Sequence, residues 1–480
     1  MNIEAFRNRK IAVLGFGMEG QAILTWLLKH GLTAVVFDQR PFTEWENTAQ
    51  VLCTNSNIQT ITGPEYLEEL IGFDIAFRSP GIWRYNPLLL EAEQRGLVIT
   101  SQAKLFFQSC PSLIIGITGT KGKGTTASLI YSIIKSGLVN KEIGKDSPLT
   151  AESRVYLTGN IGSVQPLEIL DELGPHDVIV YELSSFQLQD LNTSPQYAVV
   201  LMITQDHLDH HESLAEYHEA KEAIVSHQRP QDFAVINTDY PASQKFLTLT
   251  PAERATVSHE LLVTKGCYIT SNGEIFVRGF QLDETKPFIS QSEVLLRGAH
   301  NLQNISASIT IGLRLGISAQ SIQNSAKSFK GLEHRLEFVG QFGEVSFYND
   351  SFSTVPETTI AAVEAFNEPL ILIVGGSEKH SDFTELGQAI INKNNLKALI
   401  VIGESGPRIL EAINKAGQTT AKIFTGAETI DEIFSQIKEV ASSGDVVLLS
   451  PGCASFGMFA NYKDRGYKFK NLSKTYGRGA

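Results

Sequence analysis

The chain has 480 residues, 42% of them hydrophobic and 19% charged, the make-up of a globular protein able to bury several cores. Its formal net charge of -12 argues against broad binding to nucleic acid or to an anionic membrane, and no apolar run approaches the roughly 20 residues of a membrane span. Cys53, Cys110, Cys267 and Cys453 lie far apart with no CxxC pair, which predicts reduced thiols in a cytosolic protein and no zinc framework.

Short β-rich runs and helical stretches alternate from the start. Ile11–Gly15 reads as a strand, Gly20–His30 as a helix and Ala34–Asp38 as the next strand, a βαβ unit that predicts a parallel sheet. Between the first strand and its helix stands Gly15-Phe16-Gly17-Met18-Glu19-Gly20, and Asp38 ends the following strand. Such a turn brings backbone N–H groups and a helix N-terminus close to a phosphate. Three readings fit it: the dinucleotide site of an NAD-dependent oxidoreductase, a tight turn without a ligand, and a site for another nucleoside diphosphate such as a UDP-sugar. Ile75–Phe77 and Val98–Thr100 are further strands, and Ser79-Pro80-Gly81 is a turn at a strand end.

A second unit starts near Pro111. The strand Leu113–Thr118 runs into Gly119-Thr120-Lys121-Gly122-Lys123-Gly124-Thr125-Thr126, and Thr125–Ser136 reads as a helix. The backbone amides of this loop can form an anion-binding nest, and Lys123 can reach the β- and γ-phosphates of ATP. A plain glycine-rich turn fits less well, because two lysines repel each other there unless an anion is bound. The loop departs from the Walker pattern: Ile117 stands where the first glycine belongs, Gly124 follows the lysine in place of a hydroxyl, and Thr125 comes one position late. Val178–Leu183 and Ala198–Thr204 are expected as buried strands. Glu182 ends the first, where a carboxylate needs a cation, a set of donors or a helix to cap. Gln205-Asp206-His207-Leu208-Asp209-His210-His211 suits either a metal site or a solvated polar loop. Asp206–Gln228 is predicted mostly helical, and by chemistry alone its Lys221 faces solvent. Leu247–Lys286 suggests a small antiparallel section, and Ala299–Leu315 another helix.

A third unit begins near Leu332–Phe338. Leu370–Val374 before Gly375-Gly376, Ala398–Gly403, and Val446–Ser450 before Pro451-Gly452 repeat a strand-then-glycine signal. The expected class is α/β in three domains: 1–110 Rossmann-like, 111–331 of P-loop type, and 332–480 Rossmann-like.

The motifs follow one another in a specific order. After Gly119–Thr126 come Gly159-Asn160-Ile161-Gly162, Glu182–Leu188, Gln205–His211 with Lys221, Gly298–Asn304, Glu333-His334-Arg335 and Asn349-Asp350-Ser351. This series resembles the Mur ligases, over about Ile11 to Gly466. The short first domain and the ending Leu449–Phe456 look most like the members that add glutamate to UDP-N-acetylmuramoyl-L-alanine in peptidoglycan synthesis.

The resemblance implies that the first domain holds the UDP-sugar and not NAD, through Gly17, Met18, Asp38, Arg40, Ser79 and Gly81, with Asn160 orienting the substrate. It implies ATP on Gly119, Thr120, Lys121, Gly122, Lys123, Gly124, Thr125 and Thr126, with further contacts from Asn301, Asn304, Arg335 and Asp350. Two Mg²⁺ ions are implied on Glu182, His207, Thr125 and a carbamylated Lys221. Lys123, Asn160, His207 and Lys221 would be catalytic, and Lys379, Ser455 and Tyr462 would hold the amino acid. An ATP-dependent amide ligase passing through an acyl phosphate follows, as a cytoplasmic monomer without nucleic-acid or membrane partners. Phe352 stands where many D-glutamate ligases have a lysine, which leaves D- against L-glutamate open at this point.

Overall fold

The computed structural model describes residues 3–161, 164–204, 213–259, 261–377 and 381–477. The chain divides into two compact units, one of Met1–Phe288 with Gln303–Gln323, the other of Ile289–Leu302 with Asn324–Ala480.

The first unit carries two sheets. Strands β1 (Ile11–Leu14), β2 (Val35–Asp38), β3 (Thr60–Thr62), β4 (Ile75–Arg78) and β5 (Val98–Thr100) form a sheet in the order β3-β2-β1-β4-β5. Every neighbouring pair in it is parallel. The expected helix after β1 begins at Met18, because Gly15 turns the chain in the left-handed region (φ 82°) and the helix can start at once.

The larger sheet takes β6 (Leu113–Thr118), β7 (Val155–Gly159), β8 (Val178–Glu182), β9 (Tyr197–Val200), β10 (Phe233–Asn237), β11 (Glu253–Ser258), β12 (Gly266–Ile269) and β13 (Glu274–Arg278). Their order is β13-β12-β11-β10-β9-β6-β8-β7, so the winding reverses beside β6. Strands β8 and β9 are buried at every position, as parallel strands covered on both faces must be. In the Leu247–Lys286 region only β12 and β13 pair antiparallel; β10–β11 and β11–β12 run parallel. Strands β3, β7 and β10 lack an equally clear local signal.

The boundary expected near Pro111 falls inside this unit. One core joins the two sheets: Phe77 and Phe106 belong to the same apolar cluster as Ile179 and Tyr181. Buried Arg78, at the end of β4, donates from Nη2 and Nε to Asp190 Oδ2 at 2.8 and 3.1 Å and ties the sheets together.

The second unit starts with β14 (Ile289–Ser290). Its sheet uses β15 (Glu337–Phe342), β16 (Val345–Asn349), β17 (Leu370–Gly375), β18 (Leu396–Ile402), β19 (Lys422–Phe424) and β20 (Val446–Leu449), ordered β15-β16-β20-β17-β18-β19. Only the β15–β16 edge is antiparallel. Apolar clusters fill both of its faces. The three sheets thus follow the three α/β regions of the sequence. Among the described residues no helix is long and apolar enough to cross a membrane.

Candidate active site

In an open parallel sheet, ligands gather at the carboxyl ends of the strands where the winding reverses. Here β6 leads into Gly119–Gly124 at that place, β7 into Asn160, β8 ends on Glu182 and β9 leads to Thr204. The helix Lys123–Asn140 starts directly from the loop, because Gly122 sits in the left-handed region (φ 88°) as its N-cap. A Cβ on Gly122 would run into the Asn304 carboxamide, so the loop and Asn304 are fitted to each other. Lys123 Nζ donates to the Gly119 and Thr120 carbonyls, both at 3.0 Å, and so lies back across the loop. Lys121 is exposed, Gly124 buried and Thr125 half-buried. The Oγ1 of fully buried Thr126 has no hydrogen-bond partner among the described residues.

Glu182 is only 4% exposed, and Asn160 Nδ2 donates to its Oε1 at 3.3 Å. No cationic side chain among the described residues pairs with it. A buried carboxylate served by one amide is a donor set short of a cation, which fits a divalent ion bound to phosphates. The Asn160 N–H also donates to the Glu182 carbonyl at 3.1 Å.

Lys221 does not face solvent. It lies on the Leu214–Glu222 helix and is 1% exposed. Its Nζ donates to the Gly119 carbonyl at 3.4 Å and stands 4.5 Å from the centre of the Tyr217 ring. The Tyr217 hydroxyl is 2.9 Å from Thr120 Oγ1, which donates to the Thr204 carbonyl at 3.0 Å. Helix and phosphate loop are therefore joined by one polar cluster, in which Tyr217 has no signal in the sequence. His207, with the rest of its His/Asp cluster, and Lys379 lie outside the described residues, as does Gly162.

On the smaller sheet the expected groups meet at the ends of adjacent strands. Gly17 leads into the helix and Met18 is 75% exposed on its first turn. Asp38 accepts from the Phe16 N–H at 2.7 Å, from the Arg40 N–H at 2.8 Å and from the Arg40 guanidinium at 3.1 Å. Burial raises the Asp38 pKa, but these donors outweigh it and hold the carboxyl below the ordinary range. Both carboxylate oxygens are engaged by these donors. The Ser79 hydroxyl donates to the Gly15 carbonyl at 3.0 Å, and exposed Gly81 has open space around its Cα.

In the second unit, exposed Arg335 sits between two residues in the left-handed region, His334 (φ 66°) and Leu336 (φ 46°). That backbone is costly without glycine and persists only where its surroundings hold it. The His334 N–H donates to Glu337 Oε2, the Leu336 N–H to Asp350 Oδ1 (both 2.9 Å), and the Phe352 N–H to the His334 carbonyl at 2.9 Å. Asp350 Oδ2 also accepts from the Ser353 and Ser450 hydroxyls. Asp350 is thus engaged within its own unit. Asn301 donates to the Arg297 carbonyl at 2.7 Å. Fully buried Arg465 donates to the Ser351 hydroxyl and carbonyl, both at 2.9 Å, and to the Cys453 and Ala454 carbonyls. Ser351 in turn donates to the Tyr462 carbonyl at 2.8 Å. This network holds Ser455 and Tyr462 in place, and nothing in the local sequence announces Arg465 as its centre.

Burial pushes the Asp350 carboxyl up to about 6, against the donors of Ser353, Ser450 and Leu336 and the charge of Arg335. The native chain therefore keeps a proton that the unfolded chain gives up between about pH 4 and 6, so this group costs stability as pH rises through that window. Below it the penalty is absent, and above it complete. Asp350→Asn should consequently gain on the natural chain by on the order of 2 kcal/mol between pH 4 and pH 7. Denaturant unfolding of both proteins at the two pH values checks this, and a pH-independent difference would count against a neutralised Asp350.

Comparison with known proteins extends over almost the whole chain. Residues 9–101 match the Mur ligase MurD-like N-terminal domain, 117–312 the Mur ligase middle domain, and 334–453 the Mur ligase glutamate ligase domain. The chain is 34% identical over 472 residues to a protein of Acetivibrio thermocellus named UDP-N-acetylmuramoylalanine--D-glutamate ligase, covering 97% of this chain and 96% of that one. A protein of the same name from Clostridium tetani is also 34% identical, with the same coverage of 97% and 96%. Among solved structures, UDP-N-acetylmuramate-alanine ligase from Thermotoga maritima superimposes with a TM-score of 0.55 at 16% identity, over 98% of this chain and all of that one. At that identity the likeness speaks for the fold.

Proposed function

This chain belongs to the Mur ligase family, and on that footing we propose that it is the ATP-dependent ligase that joins D-glutamate to UDP-N-acetylmuramoyl-L-alanine in peptidoglycan synthesis. The observation that carries this reading is the convergence of the phosphate loop, Asn160, Glu182 and buried Lys221 around the carboxyl ends of β6, β7 and β8. The alanyl carboxylate attacks the γ-phosphorus, the bond to the β-phosphate oxygen breaks, and ADP leaves an acyl phosphate. The amine of glutamate then attacks the acyl carbon, loses a proton and expels phosphate.

Two anions must meet in the first step, so positioned positive charge is the main catalytic need. Lys123 supplies it by exchanging its loop carbonyls for phosphate oxygens, beside the amides of Gly119–Thr126. Asn160 orients the acceptor. Glu182 and Thr125, with His207 and a carbamylated Lys221, would hold two Mg²⁺ ions, whose charge offsets that of the phosphates. Gly17, Met18, Asp38, Arg40, Ser79 and Gly81 are assigned to the UDP-sugar. Asn301, Asn304, Arg335 and Asp350 are assigned to ATP, and Lys379, Ser455 and Tyr462 to glutamate. We place the reaction in the cytoplasm, on a monomer.

The test is phosphate release with ATP, Mg²⁺ and UDP-N-acetylmuramoyl-L-alanine, comparing the two glutamate enantiomers and following product mass. Release that depends on D-glutamate, with the mass gain of one glutamyl residue, is the expected result. Release with L-glutamate alone would keep the chemistry and change the substrate, the alternative that Phe352 brings into view.

A further inference from the structure

Arg335 is an arginine whose side chain makes no ion pair among the described residues, yet its place is closely defined. Its guanidinium carbon lies 4.0 Å from the centre of the Phe352 ring. Phe352, 40% exposed, meets Tyr462 edge to face, with ring centres 5.1 Å apart and planes at 85°. Face stacking on an aromatic ring leaves the in-plane N–H donors of a guanidinium free for oxyanions. The strained turn beneath, tied down through Asp350 and Glu337, sets where the side chain leaves the backbone.

We propose that Phe352 is a positioning residue that holds the Arg335 guanidinium flat, with its donors presented to the phosphate oxygens of ATP. This rests on the function proposed above. Ring and turn act together: the backbone supplies the exit direction, Phe352 the plane, and Tyr462 the support behind the ring. A long flexible side chain is thereby ordered before the nucleotide arrives, which lowers the entropy lost on binding. The same donors also suit a carboxylate, so the test must separate ATP from glutamate.

Steady-state kinetics of the full chain with Phe352→Leu, Phe352→Tyr, Arg335→Ala and the Phe352→Leu/Arg335→Ala pair decide the matter. Loss of the ring should raise KM for ATP about three- to tenfold, the scale of a partly exposed cation–π contact, with a smaller effect on kcat and on KM for glutamate. Phe352→Tyr should restore it, and Phe352→Leu should add little once Arg335 is gone. Thermal melting of each variant confirms that it folds. An unchanged KM for ATP, a shift confined to glutamate, or an equal loss in the Arg335→Ala background would each overturn the proposal. Because D-glutamate-dependent phosphate release by the natural chain is measured separately, that outcome would leave the ligase reading standing.

Discussion

Lys123→Ala should lower turnover by about a thousandfold or more and leave binding of the UDP-sugar within a few-fold of the natural chain. The amines of Lys123 and Lys221 both reach the Gly119 carbonyl, at 3.0 and 3.4 Å, but only Lys123 begins the helix that the loop opens. In the first chemical step a carboxylate approaches a triphosphate, and the electrostatic cost of that encounter is greatest where water is excluded. The amine of Lys123 stands at the loop, whereas the groups assigned to the UDP-sugar project from the separate sheet β1–β5. The two losses should therefore part. Single-turnover phosphate release gives the chemical rate, and calorimetric titration with UDP-N-acetylmuramoyl-L-alanine gives the binding. If both disappear together, the division of labour between the two sheets is wrong.

The second large effect is expected at Lys221. A lysine on a short helix is ordinarily solvated, yet this one is 1% exposed, against the Gly119 carbonyl and the Tyr217 ring. Reaction of its amine with CO₂ gives an anionic carbamate, an oxygen donor of the kind a divalent cation takes. Lys221→Ala should lose activity by about a hundredfold or more, and added formate should restore part of it by supplying the missing carboxylate oxygens. Damage to packing alone would not respond to a small acid. The natural protein should also show the mass of one bound CO₂ under native conditions and lose it on denaturation. A fully active Lys221→Ala would remove the carbamate from the mechanism.

Much of this site was legible along the chain. Gly119–Thr126 and Glu182 could be singled out because local pattern and chemistry agree there: an apolar strand, then residues suited to an anion or a cation. Lys221 could not be placed in that way. A lone lysine on a helix is ordinarily solvated, so its chemistry alone sends it to solvent, and only the resemblance to a family pointed the other way. Arg465 and Tyr217 left no trace, since their partners are remote in sequence: Ser351 for one, Thr120 for the other. The strands β3, β7 and β10 carry little local signal because short runs owe their pairing to neighbours already in the sheet.

The order of α/β elements, the three sheets, the phosphate loop and the family are consequences of the sequence alone, because turn chemistry and hydrophobic runs act over a few residues. Contacts across the chain decided the rest. They merged the first two sheets into one compact unit through a shared core and the Arg78–Asp190 pair, buried Lys221 beside Gly119, and laid Arg335 on Phe352. Burial and pairing of such groups depend on which remote segments arrive beside them, and a one-dimensional pattern holds no measure of that.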